Sequence, residues 1–282
     1  MSFSTLVAML GPAVGVALAL ALGVMGLGFL VLWKRAERYA VMPMALAAGF
    51  VAGYAKLFDL PAKWDDEIWK WVVVSAVVAG VLLTIGNLLP RKFEWLAWVV
   101  MAVGVSCLTG RRIREDSGYY MAALGGGLVL YLAAYWPVAR DARLRRVWPV
   151  MMLMCGVAAV ALVMPFELNH GRMFFVLTAL AGLSVAAGFL RPIGRMVAGG
   201  GVFPAVIFAV LTTTAAFYMV PDTYPRSVFF WLGAAPLGAG VAWVPWLKRR
   251  PWRCAIAATA VAGALLVPAI VIAINNAPPM DV

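Results

Sequence analysis

Charged side chains are scarce in this chain, at 12% of 282 residues against 65% hydrophobic. Soluble domains carry about a quarter charged residues, so the scarcity excludes a disordered chain, a coiled coil and an ordinary soluble enzyme. Histidine is scarcer still, with His170 alone. One imidazole without a second ligand makes a poor metal site, and no metal or cofactor is expected. The three cysteines, Cys107, Cys155 and Cys254, lie far apart without CxxC spacing and leave an odd count. They read as small buried hydrophobes. Long polar connections are missing too. The longest, 59–70, has twelve residues, so no soluble domain hangs from the chain and any chemistry belongs inside the apolar body or at its surfaces.

What the chain does have is apolar runs. Ten are free of charge or nearly so: 6–33, 39–58, 71–89, 95–110, 118–139, 147–166, 173–190, 196–219, 228–247 and 254–274. A bilayer core about 30 Å thick needs roughly 20 apolar residues as a helix, and the run 95–110 is the shortest of the set. The predicted fold is all-α: a polytopic transmembrane helix bundle of about ten spans in a single integral membrane domain, 1–282. Only Lys56 is charged within a run, near an end where its stem can snorkel to the headgroups. Trp33, Trp69, Trp71, Trp95, Trp136, Trp148, Trp246 and Trp252 fall near run ends, where amphipathic rings prefer to sit.

The net charge of +11 has a topological explanation. With the N-terminus outside, fifteen Lys and Arg fall on the inner side, in clusters such as Lys34–Arg38, Arg140–Arg146 and Lys248–Arg253, and eight fall outside. Ten spans with both termini on the non-cytoplasmic side of a bacterial cytoplasmic membrane satisfy the charge rule best. Nucleic acid is not an expected partner, because no basic stripe interleaves with aromatics. The bilayer is, with anionic headgroups at Arg140–Arg146 and Lys248–Arg253. Met1–Thr5 lacks a positive segment and the first run is too long for a cleavable signal, so it reads as an inserted helix.

A shift of 108 residues pairs Arg35 with Arg143, Arg38 with Arg146, Phe58 with Phe166, Gly125 with Gly233 and Pro137 with Pro245. A shift of 102 is needed between, pairing Gly86 with Gly188 and Pro90 with Pro192. These pairs suggest a 4+4 same-orientation repeat, helices 2–5 and 6–9, in units 34–140 and 143–248.

The polar inventory within the runs is thin, and no Asp, Glu, Arg or His lies near a span centre. Burying a charge there costs about 2.5–3.5 kcal/mol, so a proton relay or voltage sensor is not expected. The candidate substrate path comprises Thr212, Thr213 and Thr214, with Gly199, Gly200, Gly201 and Pro204 as a stretch able to unwind or kink. Back-bonding of the threonines to the preceding turn is the alternative for the first group, and close helix packing for the second. Gly11/Gly15 and Gly49/Gly53 are GxxxG pairs that permit such packing. On the outer face, Glu167, His170 and Arg172 occupy a short connection with Gly171 as its bend. A second outer cluster, Arg111, Arg112 and Arg114 with Glu115 and Asp116, suits an anionic headgroup or partner, or is neutralised locally. No catalytic residue is assigned.

Ten spans in a chain of this length is similar in size to the drug/metabolite transporter superfamily, in length and span count alone and with no shared motif. Three functions remain: a carrier or flippase-like transporter of a small neutral or amphipathic molecule, a non-catalytic membrane subunit or assembly factor, and an interfacial enzyme around His170. The first requires a cavity reached by the Thr212–Thr214 or Gly199–Pro204 segment. The second requires small residues, such as Gly49/Gly53, left open toward lipid.

Overall fold

The computed structural model describes residues 3–31, 41–58, 68–90, 93–110, 117–140, 144, 147–165, 168–189, 202–218 and 225–276. Among these every regular element is helical. In chain order they are α1 (Phe3–Val31), α2 (Val41–Phe58), α3 (Ile68–Leu88), α4 (Glu94–Gly110), α5 (Ser117–Arg140), α6 (Val147–Val163), α7 (Leu168–Phe189), α8 (Val202–Tyr218) and α9 (Ser227–Ala234). A 3-10 helix, Ala235–Trp243, continues α9, and short α10 (Pro245–Lys248) leads to α11 (Pro251–Asn275). Each of the ten apolar runs coincides with one of these helical stretches. Six are long and apolar enough to cross a membrane, and four further apolar helices are shorter.

One boundary moves. α7 begins five residues before the expected run and takes His170, Gly171 and Arg172 into its first turns. Gly171 is therefore no bend. A Cβ there would lie 2.5 Å from Met164 Cα, so its role is the close passage of the end of α6 against the start of α7. Pro204 is corrected as well, because it sits within the first turn of a regular α8. Proline is tolerated there, since the first-turn N–H groups have no intrahelical acceptor to lose. Gly199, Gly200 and Gly201 lie outside the described residues.

The unwound geometry occurs elsewhere. Runs of 3-10 helix beyond three or four residues are uncommon, yet Ala235–Trp243 has nine. Pro236 starts it: without an N–H it cannot bond the Leu232 carbonyl, and the Ala235 N–H takes that carbonyl instead. Tightening also lengthens the element. At about 1.5 Å per α residue and 2.0 Å per 3-10 residue, Ser227–Trp243 extends about 30 Å, the thickness of a bilayer core.

The centre of the bundle is α8, which packs against α2, α3, α5, α6, α7 and α9. Apart from half-buried Thr213 and Phe217, Val202–Phe217 is buried all round, as expected of a helix apolar on every face. Phe208 meets Phe174 of α7 edge-on, with ring centroids 5.5 Å apart. The Gly49/Gly53 pair of α2 is filled. Cβ atoms added there would press within 2.7 Å of the Ala17 carbonyl oxygen and of Val176 respectively. α1 and α7 thus close on α2 where it has no side chains. Gly11 and Gly15 of α1, by contrast, have nothing within 4 Å. α4, which the duplication would make equivalent to α8, packs chiefly against its chain neighbours α3 and α5.

Candidate functional site

Two openings flank α5. The smaller, about 250 Å³, lies between α5, α8 and α9 and is floored by Thr212 and Thr213. Leu130 and Phe230 stand exposed at its mouth, so it opens sideways from the bundle. The larger, about 590 Å³, runs between α4 and α5 and is apolar, with Trp95, Trp98, Trp136 and Trp243 among its walls. The glycine triplet of α5 explains itself here. Gly127 faces the smaller opening, Gly125 faces the larger, and Gly126 has open space around it.

Between the openings α5 and the α9/3-10 segment are pinned by a reciprocal pair of hydrogen bonds, each made necessary by a proline. Pro137 in α5 has no N–H to offer the Ala133 carbonyl one turn back. The Trp243 indole N–H donates to that carbonyl at 3.0 Å. In the opposite direction, a 3-10 turn would bond the Gly233 carbonyl through residue 236, which is a proline. The Tyr131 hydroxyl donates to it instead. In a membrane a freed carbonyl must find a partner in the protein, and both do.

The three threonines separate by direction. Thr212 bonds back to the Phe208 and Ala209 carbonyls at 2.9 and 3.2 Å, the local alternative weighed above, while still facing the cleft. Thr213 is half-buried and lines the cleft. Thr214 turns away and shares a 3.1 Å hydrogen bond with Tyr120 of α5. Gly233 lies against Thr212, where an added Cβ would meet Oγ1 at 3.3 Å.

Of the outer-face candidates, His170 and Arg172 are among the described residues. His170 is fully buried within α7, so it is not part of a solvated turn. Arg172 stretches across to α1, its guanidinium Nη2 lying 2.9 Å from Met9 Sδ. Glu167, Arg111, Arg112 and Arg114 lie outside the described residues. No group of three or more His, Cys, Asp or Glu side chains able to hold a metal occurs among the described residues.

Tyr131 and Trp243 carry no motif that singles them out in the sequence. A signal existed: Pro236-Leu-Gly238-Ala-Gly240 within one apolar run marks a helix that cannot stay regular. Apolar helices of this length, with their polar groups turned inward, are compatible with a multi-pass membrane protein, and that is the class the fold defines. No protein-family model matches the chain, and no curated protein or solved structure shows significant similarity to it.

Proposed function

We propose that the protein is a carrier or flippase-like transporter of a small amphipathic molecule, entered sideways through the Thr212–Thr213 cleft. The observation that carries this is a cleft open on its flank whose floor is the central helix of the bundle. A lateral mouth between Leu130 and Phe230 suits a molecule that arrives with its apolar part in lipid, and the half-buried Thr213 hydroxyl suits a neutral polar head. The irregular 3-10 segment beside it is where transporters commonly break helices around a substrate. The proposal places both termini on the non-cytoplasmic side of a bacterial cytoplasmic membrane, supported by the fifteen-to-eight partition of basic residues.

The test uses vesicles containing the full chain and a fluorophore-headed phospholipid, with a membrane-impermeant quencher added outside. Quenching beyond the outer-leaflet half supports transbilayer movement. Gly127→Leu, which fills the cleft from a position with open space around it, should abolish that extra quenching without loss of folding. Quenching that stops at half in the wild type, or persists in Gly127→Leu, overturns the reading.

A second reading, a subunit that binds other membrane proteins, is favoured by one observation. Gly49/Gly53 is filled within the chain, but Gly11/Gly15 remains open on the exposed face of α1. Co-purification of a partner that Gly15→Leu releases would support it.

A further inference from the structure

The larger opening is not required by transport through the threonine cleft, and α5 separates the two. We infer that it is a binding site for one anionic phospholipid, with an acyl chain laid between α4 and α5 and the headgroup held at the tryptophan end by Lys248, Arg249 and Arg250. Four observations carry this.

The first is shape. The groove holds about 590 Å³, within the range of sites that bury a small ligand. Its walls extend along α4 from Trp95 to Cys107, which is about 18 Å at the helical rise. That slightly exceeds the roughly 15 Å depth of one leaflet's hydrocarbon, so a full tail fits lengthwise. The second is chemistry. Ser106 is the hydroxyl among the lining residues, and it already donates to the Ala102 carbonyl at 2.7 Å. The walls therefore offer an occupant little besides apolar contact.

The third is that the tryptophan end is rigidly built. Trp243 is 57% exposed, yet its indole is fixed on the carbonyl that Pro137 frees. Trp98 and Trp136 meet edge-on with centroids 5.4 Å apart. Amphipathic rings collect at the headgroup level, so this end marks the interface. The fourth is charge. Trp243 is followed within seven residues by Lys248, Arg249 and Arg250, the two arginines exposed. Cationic side chains just past the aromatic level attract anionic headgroups by about 1 kcal/mol each, whereas a zwitterionic headgroup gains little.

Native mass spectrometry of the full chain in mild detergent tests this, with equal amounts of phosphatidylglycerol and phosphatidylcholine of identical acyl chains added. The wild type should retain one phosphatidylglycerol, favoured over phosphatidylcholine by at least about fivefold. Ala133→Phe and Val103→Phe, on opposite walls, should each reduce the adduct by about tenfold, as expected when apolar contact is displaced. If one variant fails to fold, the other stands alone, since both positions face outward. Replacing Lys248, Arg249 and Arg250 by Gln should bring the two lipids to parity while an adduct persists. Equal retention of both lipids by the wild type, no retained lipid, or an undiminished adduct in the folded groove-filling variants overturns the assignment. The lipid-movement assay reads the other cleft, so the two readings can fail separately.

Discussion

α1 and α11 are the most apolar candidate spans and the least buried, with 17% and 22% of their span residues inside the protein. α2 and α7 are among the least apolar and are 50% and 56% buried. A soluble protein shows the reverse. Lipid is as apolar as leucine, so a helix in contact with it on most sides admits almost nothing polar, and nothing but van der Waals fit and internal hydrogen bonds draws helices together. α1 accordingly carries no charge and leaves Leu27, Leu30 and Val31 exposed. α7 carries Asn169, His170, Arg172, Thr178 and Ser184, of which His170 and Ser184 are buried and the other three half-buried. Ser184 bonds back to Leu180, and the Thr178 hydroxyl occupies the space that Gly156 of α6 leaves open.

The comparison breaks most visibly at a ring. Phe208 is wholly buried in α8 against Phe174, so Phe208→Ala should cost roughly 3 kcal/mol, the low end for such truncations. Leu27→Ala on α1, where the side chain is 64% exposed, should change stability by less than about 0.5 kcal/mol. Denaturant unfolding of both variants in the same micelles measures the difference. Equal costs would mean that protein, not lipid, covers α1.

Overpacking comes next. Gly49→Val drives a branched side chain into the Ala17 carbonyl and Leu180 and should cost about 2 kcal/mol, because backbone must move. Thermal unfolding checks it, with Gly104→Val on the outer side of α4 as the control, since nothing lies within 4 Å there.

A smaller effect tests the proline lock. Trp243→Phe strands the Ala133 carbonyl, at about 1 kcal/mol. Replacing Pro137 by Ala restores an N–H to that carbonyl, so the same tryptophan substitution should cost less in its presence. A double-mutant cycle reads the coupling, and additive costs would show that the indole bond carries nothing.

Much of this was legible before any coordinates. Each of the ten runs found its helix because hydropathy depends only on composition over a window, and the boundary tryptophans and basic clusters are local too. The start of α7 lies earlier than the run suggests because His170 and Arg172 look like loop residues until His170 is seen to be buried and Arg172 to reach Met9 of α1. Three consecutive threonines must turn at least one side chain into the bundle, and Thr212 and Thr214 are the buried two; that Thr212 and Thr213 border the cleft while Thr214 bonds Tyr120 depends on where α5 and α9 stand. Gly49/Gly53 and Gly11/Gly15 share one pattern and meet opposite fates. GxxxG states that a close approach is permitted; only helix order decides whether a neighbour comes.

That last contrast leads to the smallest expected effect. A Cβ added at Gly15 of α1 meets nothing within 4 Å and the position is exposed, so Gly15→Leu should leave the unfolding of the isolated chain unchanged within about 0.5 kcal/mol. Any change should be a slight gain, since leucine favours a helix more than glycine does. Any larger loss points to association, because no atom of the described residues lies within 4 Å of a Cβ added there. Cross-linking of the full chain in native membranes distinguishes the cases. If Gly15→Leu removes a cross-linked species that Gly104→Leu leaves intact, the open face of α1 is a contact surface. If neither changes the pattern, α1 is covered by lipid alone, and its extreme apolarity needs no other explanation.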